Sequence, residues 1–189
     1  MTKLTRRRKS RQGGQSMLEF TFVGIPLIFI LISIFEISRG MWVYQTLAYA
    51  AKTGVRYAIV HGQSCTKNGN ACAVNFGPAT TAPSILWVIR NAGAGLSVAP
   101  NTCTAPITTS GITTTCVTLT AGGTTSTCNL TATCAAGAFS TGTLSTGTTL
   151  RIDIGTPFNS AIAMLWPGAK GQVWTKVNLY ATSTDTVKF

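Results

Sequence analysis

The sequence predicts an α+β protein. A long N-terminal helix able to span a membrane leads into a small disulfide-bonded α+β head with an antiparallel sheet, placed outside the cytoplasm. Three observations carry this reading. Residues 20–35 contain no charge. Segments such as TLRIDIG, from Thr149, alternate apolar and polar side chains with the period of a half-buried strand. All six cysteines (Cys65, Cys72, Cys103, Cys116, Cys128 and Cys134) lie beyond the apolar run. An even count with no CxxC pair reads as a disulfide framework rather than a zinc site, although the connectivity stays open. The chain thus divides into a basic leader over 1–14, a helix over 15–60 and a head over 61–189.

Charge supports the same layout. Only 10% of the 189 residues are charged, against about 25% in ordinary soluble domains. A net charge of +11 would suggest nucleic acid if it covered a folded surface. Instead six of the fifteen basic residues, Lys3, Arg6, Arg7, Arg8, Lys9 and Arg11, precede residue 12. A basic tail directly before an apolar run is a topology signal: N-terminus in the cytoplasm, C-terminal domain in the periplasm. No nucleic-acid partner is expected. The cysteines need an oxidising compartment and independently imply the same orientation.

As a helix, Phe20 to Phe35 covers about 24 Å, and Met17, Leu18 and Ile37 extend it toward the roughly 30 Å of a bilayer core. A secretory signal has a shorter apolar region followed by small residues, so a retained anchor in the bacterial inner membrane is expected. Pro26 removes a backbone donor inside this run, with Gly24 just before it. It either kinks or locally melts the helix, or is simply tolerated, as prolines in membrane helices are. The helical pattern continues through MWVYQTLAYAAKTGVRYAIV. Val43, Leu47, Ala50, Ala51, Gly54, Val55 and Ala58 recur at three- and four-residue spacings. A helix from about residue 16 to 60 would be roughly 65 Å long. Its small residues permit close approach, either to its own domain alone or to neighbouring subunits as well.

Glu19 stands at the basic edge of the apolar run. A carboxylate in hydrocarbon costs a few kcal/mol and is a functional residue by default. A cut between Gly14 and Gln15 would make Glu19 the fifth residue of the trimmed chain and create an amine with a pKa near 8. That amine could neutralise the carboxylate of a neighbouring copy in a helical stack. At 4 Å and an effective dielectric of 20 the attraction is about 4 kcal/mol, most of it offset by desolvation, so the pair would fix register more than add stability. Alternatively Glu19 snorkels toward headgroups and Gly13-Gly14 is a flexible joint. Glu36, three residues before Arg39, reads as a solvated end-cap.

GQSMLEF, after a short basic leader and before an apolar helix, resembles the processing site of type IV prepilins. The resemblance implies that a membrane-embedded prepilin peptidase cuts after Gly14 and that Gln15 becomes an N-methylated terminus. Glu19, followed by Phe20, then sets subunit register. The longer run is similar to the N-terminal domain of TadE-like proteins, pseudopilins of tight-adherence (Flp-type, type IVc) pili. The matching residues are Glu19-Phe20, Pro26, Glu36, Ala50-Ala51 and Gly54-x-Arg56. LRIDIGTPFNSAIAMLWPG and GQVWTKVNLYATST resemble the strand–helix–strand ending of such proteins. The resemblance implies a pilin-like spine and a minor pilin or pseudopilin that supports pilus assembly and surface adhesion. The implied partners are prepilin peptidase, other pilin subunits, the lipid membrane and, indirectly, an assembly platform and its ATPase.

The rest of the head reads as follows. PSILWVIRNAG is a short helix with Pro83 in its first turn and Gly93 as its stop. Residues 102–150, rich in threonine and punctuated by four cysteines, form cross-linked strands and loops. Thr156-Pro157 opens a second short helix that Pro167-Gly168 closes. In QVWTKVNLYAT, Val173, Thr175, Val177, Leu179 and Ala181 share one face; Trp174, Lys176, Asn178 and Tyr180 share the other, which is expected to be buried. Chemistry finds little material. His61 with Cys65, or Asp153 with Asp185, are the available pairs. The glycines at GAGLSV and GAKGQ lack nucleotide-binding spacing, and Asn129-Leu-Thr131 is a formal glycosylation sequon. No active site, metal or cofactor is expected. Three rival readings are an uncleaved single-pass envelope protein with a ligand-binding cystine domain, a type II secretion pseudopilin, and a membrane-tethered hydrolase built on His61.

Overall fold

The computed structural model describes residues 13–61, 66–67, 70–71, 76, 84–96, 103, 107, 112, 114–130, 145–160 and 176–188. The chain forms two compact units, Met1–Ser38 and Arg39–Phe189. Helix α1 (Gly13–Val60) comes first. A small hairpin of β1 (Thr66–Lys67) and β2 (Asn70–Ala71) follows, then α2 (Ile85–Ala92). Strands β3 (Cys116–Ala121), β4 (Thr124–Asn129), β5 (Thr149–Asn159) and β6 (Lys176–Thr186) complete the α+β fold.

The first unit contributes α1 up to Ser38. Its large apolar side chains from Met17 to Ile37, Ile32 excepted, are 50–77% exposed. The helix is long and apolar enough to cross a membrane. Its hydroxyls do not spoil that surface. Thr21, Ser33 and Ser38 each donate to the carbonyl four residues back, at 2.8–2.9 Å, so these three hydroxyl protons are satisfied within the helix. The helix continues through Pro26 without a break.

The second unit is built on a four-stranded antiparallel sheet of order β4-β3-β5-β6. A two-residue turn, Gly122-Gly123, joins β3 to β4 with both residues at positive φ (55° and 83°), the backbone a tight hairpin needs. Opposed residues share a face, and the register sorts them cleanly. Val117, Leu119 and Ala121 lie with Ile154, Ile152 and Leu150 on one face. All six are buried. Onto that face pack α2, through Ile85, Leu86 and Ile89, and the small-residue stripe of α1, through Leu47, Ala50, Ala51, Val55 and Ala58. Each fully buried Leu or Ile contributes about 1.5–3 kcal/mol relative to exposure.

The opposite face carries threonines. Thr118 and Thr127 share a hydrogen bond of 2.9 Å across β3 and β4, and Thr120 and Thr125 one of 3.2 Å. Arg151 pairs with Asp153 on the same face of β5 at 2.9 Å. One end of this face is covered: Ile107 and Ile112 lie against Gly155, close enough that a Cβ there would sit 3.2 Å from Ile112 Cδ1. The Cys103–Cys116 disulfide ties that crossing segment to β3. Cys128 is also disulfide-bonded. Cys65, Cys72 and Cys134 lie outside the described residues, as does 161–175 with Pro167-Gly168, Val173, Trp174 and Thr175.

Four expectations are corrected. Thr156-Pro157 does not open a helix. Strand β5 runs on to Asn159, paired with β6 from Leu179 down to Lys176, and the buried Thr156 hydroxyl meets Thr115 at 2.9 Å. Proline is accommodated because pairing with β3 ends at Gly155, leaving one side of β5 without a ladder partner there. The first turn of α2 begins after Ser84, whose hydroxyl accepts the Trp87 amide at 3.0 Å as an N-cap. Pro83 therefore precedes the cap. The Tyr180 face of β6 is not buried: Tyr180 is exposed, whereas Ala181 and Val187 on the alternate face are buried. Glu36 is no solvated end-cap: it is 7% exposed, and α1 does not end there but continues 24 residues beyond it to Val60.

Candidate assembly site on the N-terminal helix

Every residue singled out near the N-terminus falls on α1. Gly14 and Gln15 occupy its first turn and are exposed. A Cβ added at Gly14 would meet nothing within 4 Å. Glu19 stands one further turn along, exposed among Met17, Leu18 and Phe20. Residues 15 and 19 are four apart, so they share one helix face about 6 Å apart along the axis. Pro26 follows on the same exposed rod. The structure thus holds one solvent-open carboxylate on an otherwise apolar surface, one turn from an accessible glycine backbone.

The second half of the helix is placed by contacts within its own unit. Gly54 is the closest approach: a Cβ there would lie 2.7 Å from Ile89 Cγ1 and 3.3 Å from Ile152 Cδ1. Glycine at 54 lets α1 settle onto α2 and β5 together. Arg39 caps this contact at the other end. Its guanidinium lies 4.7 Å from the centroid of the Phe158 ring, and Nη2 donates to the Asn159 carbonyl. No sequence signal links positions 39 and 158; the pairing exists only because β5 extends where a helix was expected.

The residues considered for catalysis are engaged otherwise. His61 Nδ1 lies 2.9 Å from the Tyr57 carbonyl and its ring stacks on Tyr57 at 4.2 Å, which satisfies a terminal carbonyl of α1. Cys65 lies outside the described residues. Asp153 is opposite Thr182 and Asp185 opposite Leu150, which puts the two carboxylates on opposite faces of the sheet, where they cannot share a proton. Asp185 accepts the Thr186 amide at 2.8 Å. Asn129 of the formal sequon is buried. Among the described residues there is no cluster of three His, Cys, Asp or Glu that could hold a metal.

Comparison with known families gives a match over residues 14–56, to the family described as TadE-like protein. The matched segment starts at Gly14 and ends at Arg56, so it covers both the exposed rod and the half packed on the head. Comparison with curated proteins and with solved structures returned no match. The family match supports a pilin-like protein associated with a tight-adherence pilus, a structural rather than a typically enzymatic class.

Proposed function

With a TadE-like segment over residues 14–56 as premise, we propose that this chain is a minor pilin or pseudopilin of a tight-adherence pilus. Its basic leader, residues 1–14, is removed by a prepilin peptidase between Gly14 and Gln15. The trimmed subunit waits in the inner membrane with its head in the periplasm, then joins a filament with other pilin subunits through the assembly platform and its ATPase. The observation that carries the reading is Glu19 at its fixed distance from Gly14 on an exposed apolar helix.

Physical chemistry favours trimming as the step that gives Glu19 its role. In the full chain the amine at residue 15 is tied up in the peptide bond to Gly14, so Glu19 has no terminal charge beside it. After the cut it becomes the fifth residue, one turn from a new amine. An amine on one copy and Glu19 on the next then select a single axial offset between neighbouring rods. A kink at Pro26 belongs to the same proposal, as a place where the rod adjusts when it leaves lipid for a filament. Surface adhesion is the role proposed for the assembled fibre.

Two measurements test it. Mass spectrometry of the purified protein is expected to show Gln15 at the N-terminus, and Gly14→Arg to leave the leader attached. Glu19→Val is expected to leave the subunit in the membrane but out of sheared filaments. A native chain beginning at Met1 or Thr2 overturns the proposal in favour of an uncleaved envelope protein, and normal incorporation of the valine variant overturns the role of Glu19 in setting register.

A further inference from the structure

We propose that the part of the head nearest the apolar run is built to lie in the phospholipid headgroup layer, with Trp42 and Tyr44 as interfacial anchors and the β5 end at Asn159 resting beside them. The proposal rests on α1 being a membrane anchor and adds which surface of the head meets lipid.

Chain connectivity sets the depth. If Ile37 marks the end of the hydrocarbon-soluble stretch, Trp42 lies about 7 Å and Tyr44 about 10 Å further along the helix. The headgroup zone occupies the outer 5–8 Å or so of each side of a bilayer, and because helical side chains lean toward the N-terminus the Tyr44 ring reaches back into it. Both side chains face out, Trp42 at 55% and Tyr44 at 48% exposure. An aromatic body with a polar tip is the side-chain chemistry enriched at that depth. The exposed basic residues Lys52 and Arg56 come only ten or more residues later, beyond the layer and in water.

Within the head's own unit, residues 39–42 of α1 are held by other segments. Arg39, which could have reached for lipid phosphate, is instead folded over Phe158 and bonded to the Asn159 carbonyl. A Cβ on Gly40 would lie 3.7 Å from the Phe158 ring, and one on Gly95 would lie 2.9 Å from Trp42 Cη2. Two head segments therefore touch α1 between residues 39 and 42. Asn159 and Gly95 are themselves exposed. Both segments thus lie at the helix level of residues 39–42 within the head's own unit. A bilayer, rather than a second copy, is the occupant because the patch continues the apolar run and because its composition is that of an interface belt.

The test uses the full chain in phosphatidylcholine vesicles. Trp87, Trp166 and Trp174 are changed to Phe so that Trp42 reports alone. Two further reporters, Phe29→Trp and Asn159→Trp, are each placed in that background with Trp42→Phe. Lipids brominated near the carbonyl end of the acyl chain are expected to remove most of the emission of Trp42 and of tryptophan at 159. Lipids brominated near the methyl end should act chiefly on tryptophan at 29. Quenching at 29 with none at 42 overturns the proposal while leaving the anchor intact. No quenching at 29 removes the anchor reading and this proposal with it. Protection of Trp42 from aqueous iodide that grows with protein-to-lipid ratio, without bromolipid quenching, assigns the face to a second copy and also overturns it. Should the reporters misfold, the unaltered chain with a photoactivatable headgroup lipid decides: adducts at 41–44 and 158–159 are expected, and their absence alongside adducts at 20–35 overturns the proposal.

Discussion

The two halves of α1 are equally helical and both apolar, yet they meet opposite fates. Before Arg39 the side chains are Phe, Ile and Leu on all sides, and they remain exposed. After it they are sorted: Leu47, Ala50, Ala51, Gly54, Val55 and Ala58 are buried, while Gln45, Lys52 and Arg56 face out. A rod that is apolar all round has no preferred face for its own chain and suits lipid or neighbouring helices. A rod with one stripe of small residues lets a sheet and a second helix come close. The compact unit accordingly begins at Arg39 rather than at the helix end.

Five variants probe that contrast, from large to small. Ile152→Ala, under Gly54 at the centre of the buried face, is expected to lower head stability by about 2–5 kcal/mol, read by denaturant unfolding in detergent. Little change would mean that α1 does not rest on β5. Replacing Cys103 and Cys116 together by serine should cost about 3 kcal/mol, the loop-closure value for a loop of similar size. It should also loosen Ile107 and Ile112 from Gly155, which hydrogen exchange at β5 would detect. The sharpest comparison places one change in each half. Gly54→Leu overpacks Ile89 and should cost about 1–3 kcal/mol. Gly24→Leu meets only Phe20, at 3.8 Å, and should leave head unfolding unaltered. Equal effects would erase the distinction between the halves. The smallest effect is expected of Ser84→Ala, about 1 kcal/mol from the lost N-cap of α2, visible as a modest fall in the unfolding midpoint.

Legibility followed the range of the interaction. The strand TLRIDIG and the stripe on α1 were readable because a two- or three-to-four-residue period records which face is buried. The hairpin at Gly122-Gly123 has a local trace as well, since two glycines between threonine-rich runs are a turn signal. Thr156-Pro157 misled because Thr-Pro is a local helix-start signal, and pairing with β6 outweighed it. Tyr180 was assigned to the wrong environment because alternation states that two faces differ without saying which one meets the core. Glu36 was read as an end residue from hydropathy, which marks where an apolar run stops and not where a helix stops. Of the candidate site, Gly14, Gln15, Glu19, Phe20 and Pro26 were all named from local pattern; the Arg39–Phe158 contact had no local trace.

The sequence by itself determined the elements whose causes are local: the apolar rod, the carboxylate at residue 19, the cysteine-bearing region beyond the apolar run and the period of β5. These depend on neighbours within a few residues, where composition and spacing are direct physical variables. Only the tertiary structure decided that β5 runs to Asn159, that Arg39 folds onto Phe158, and that Gly54 is where helix and sheet meet. Each of those is a contact between residues more than fifteen positions apart, and its free energy appears only once the sheet has assembled.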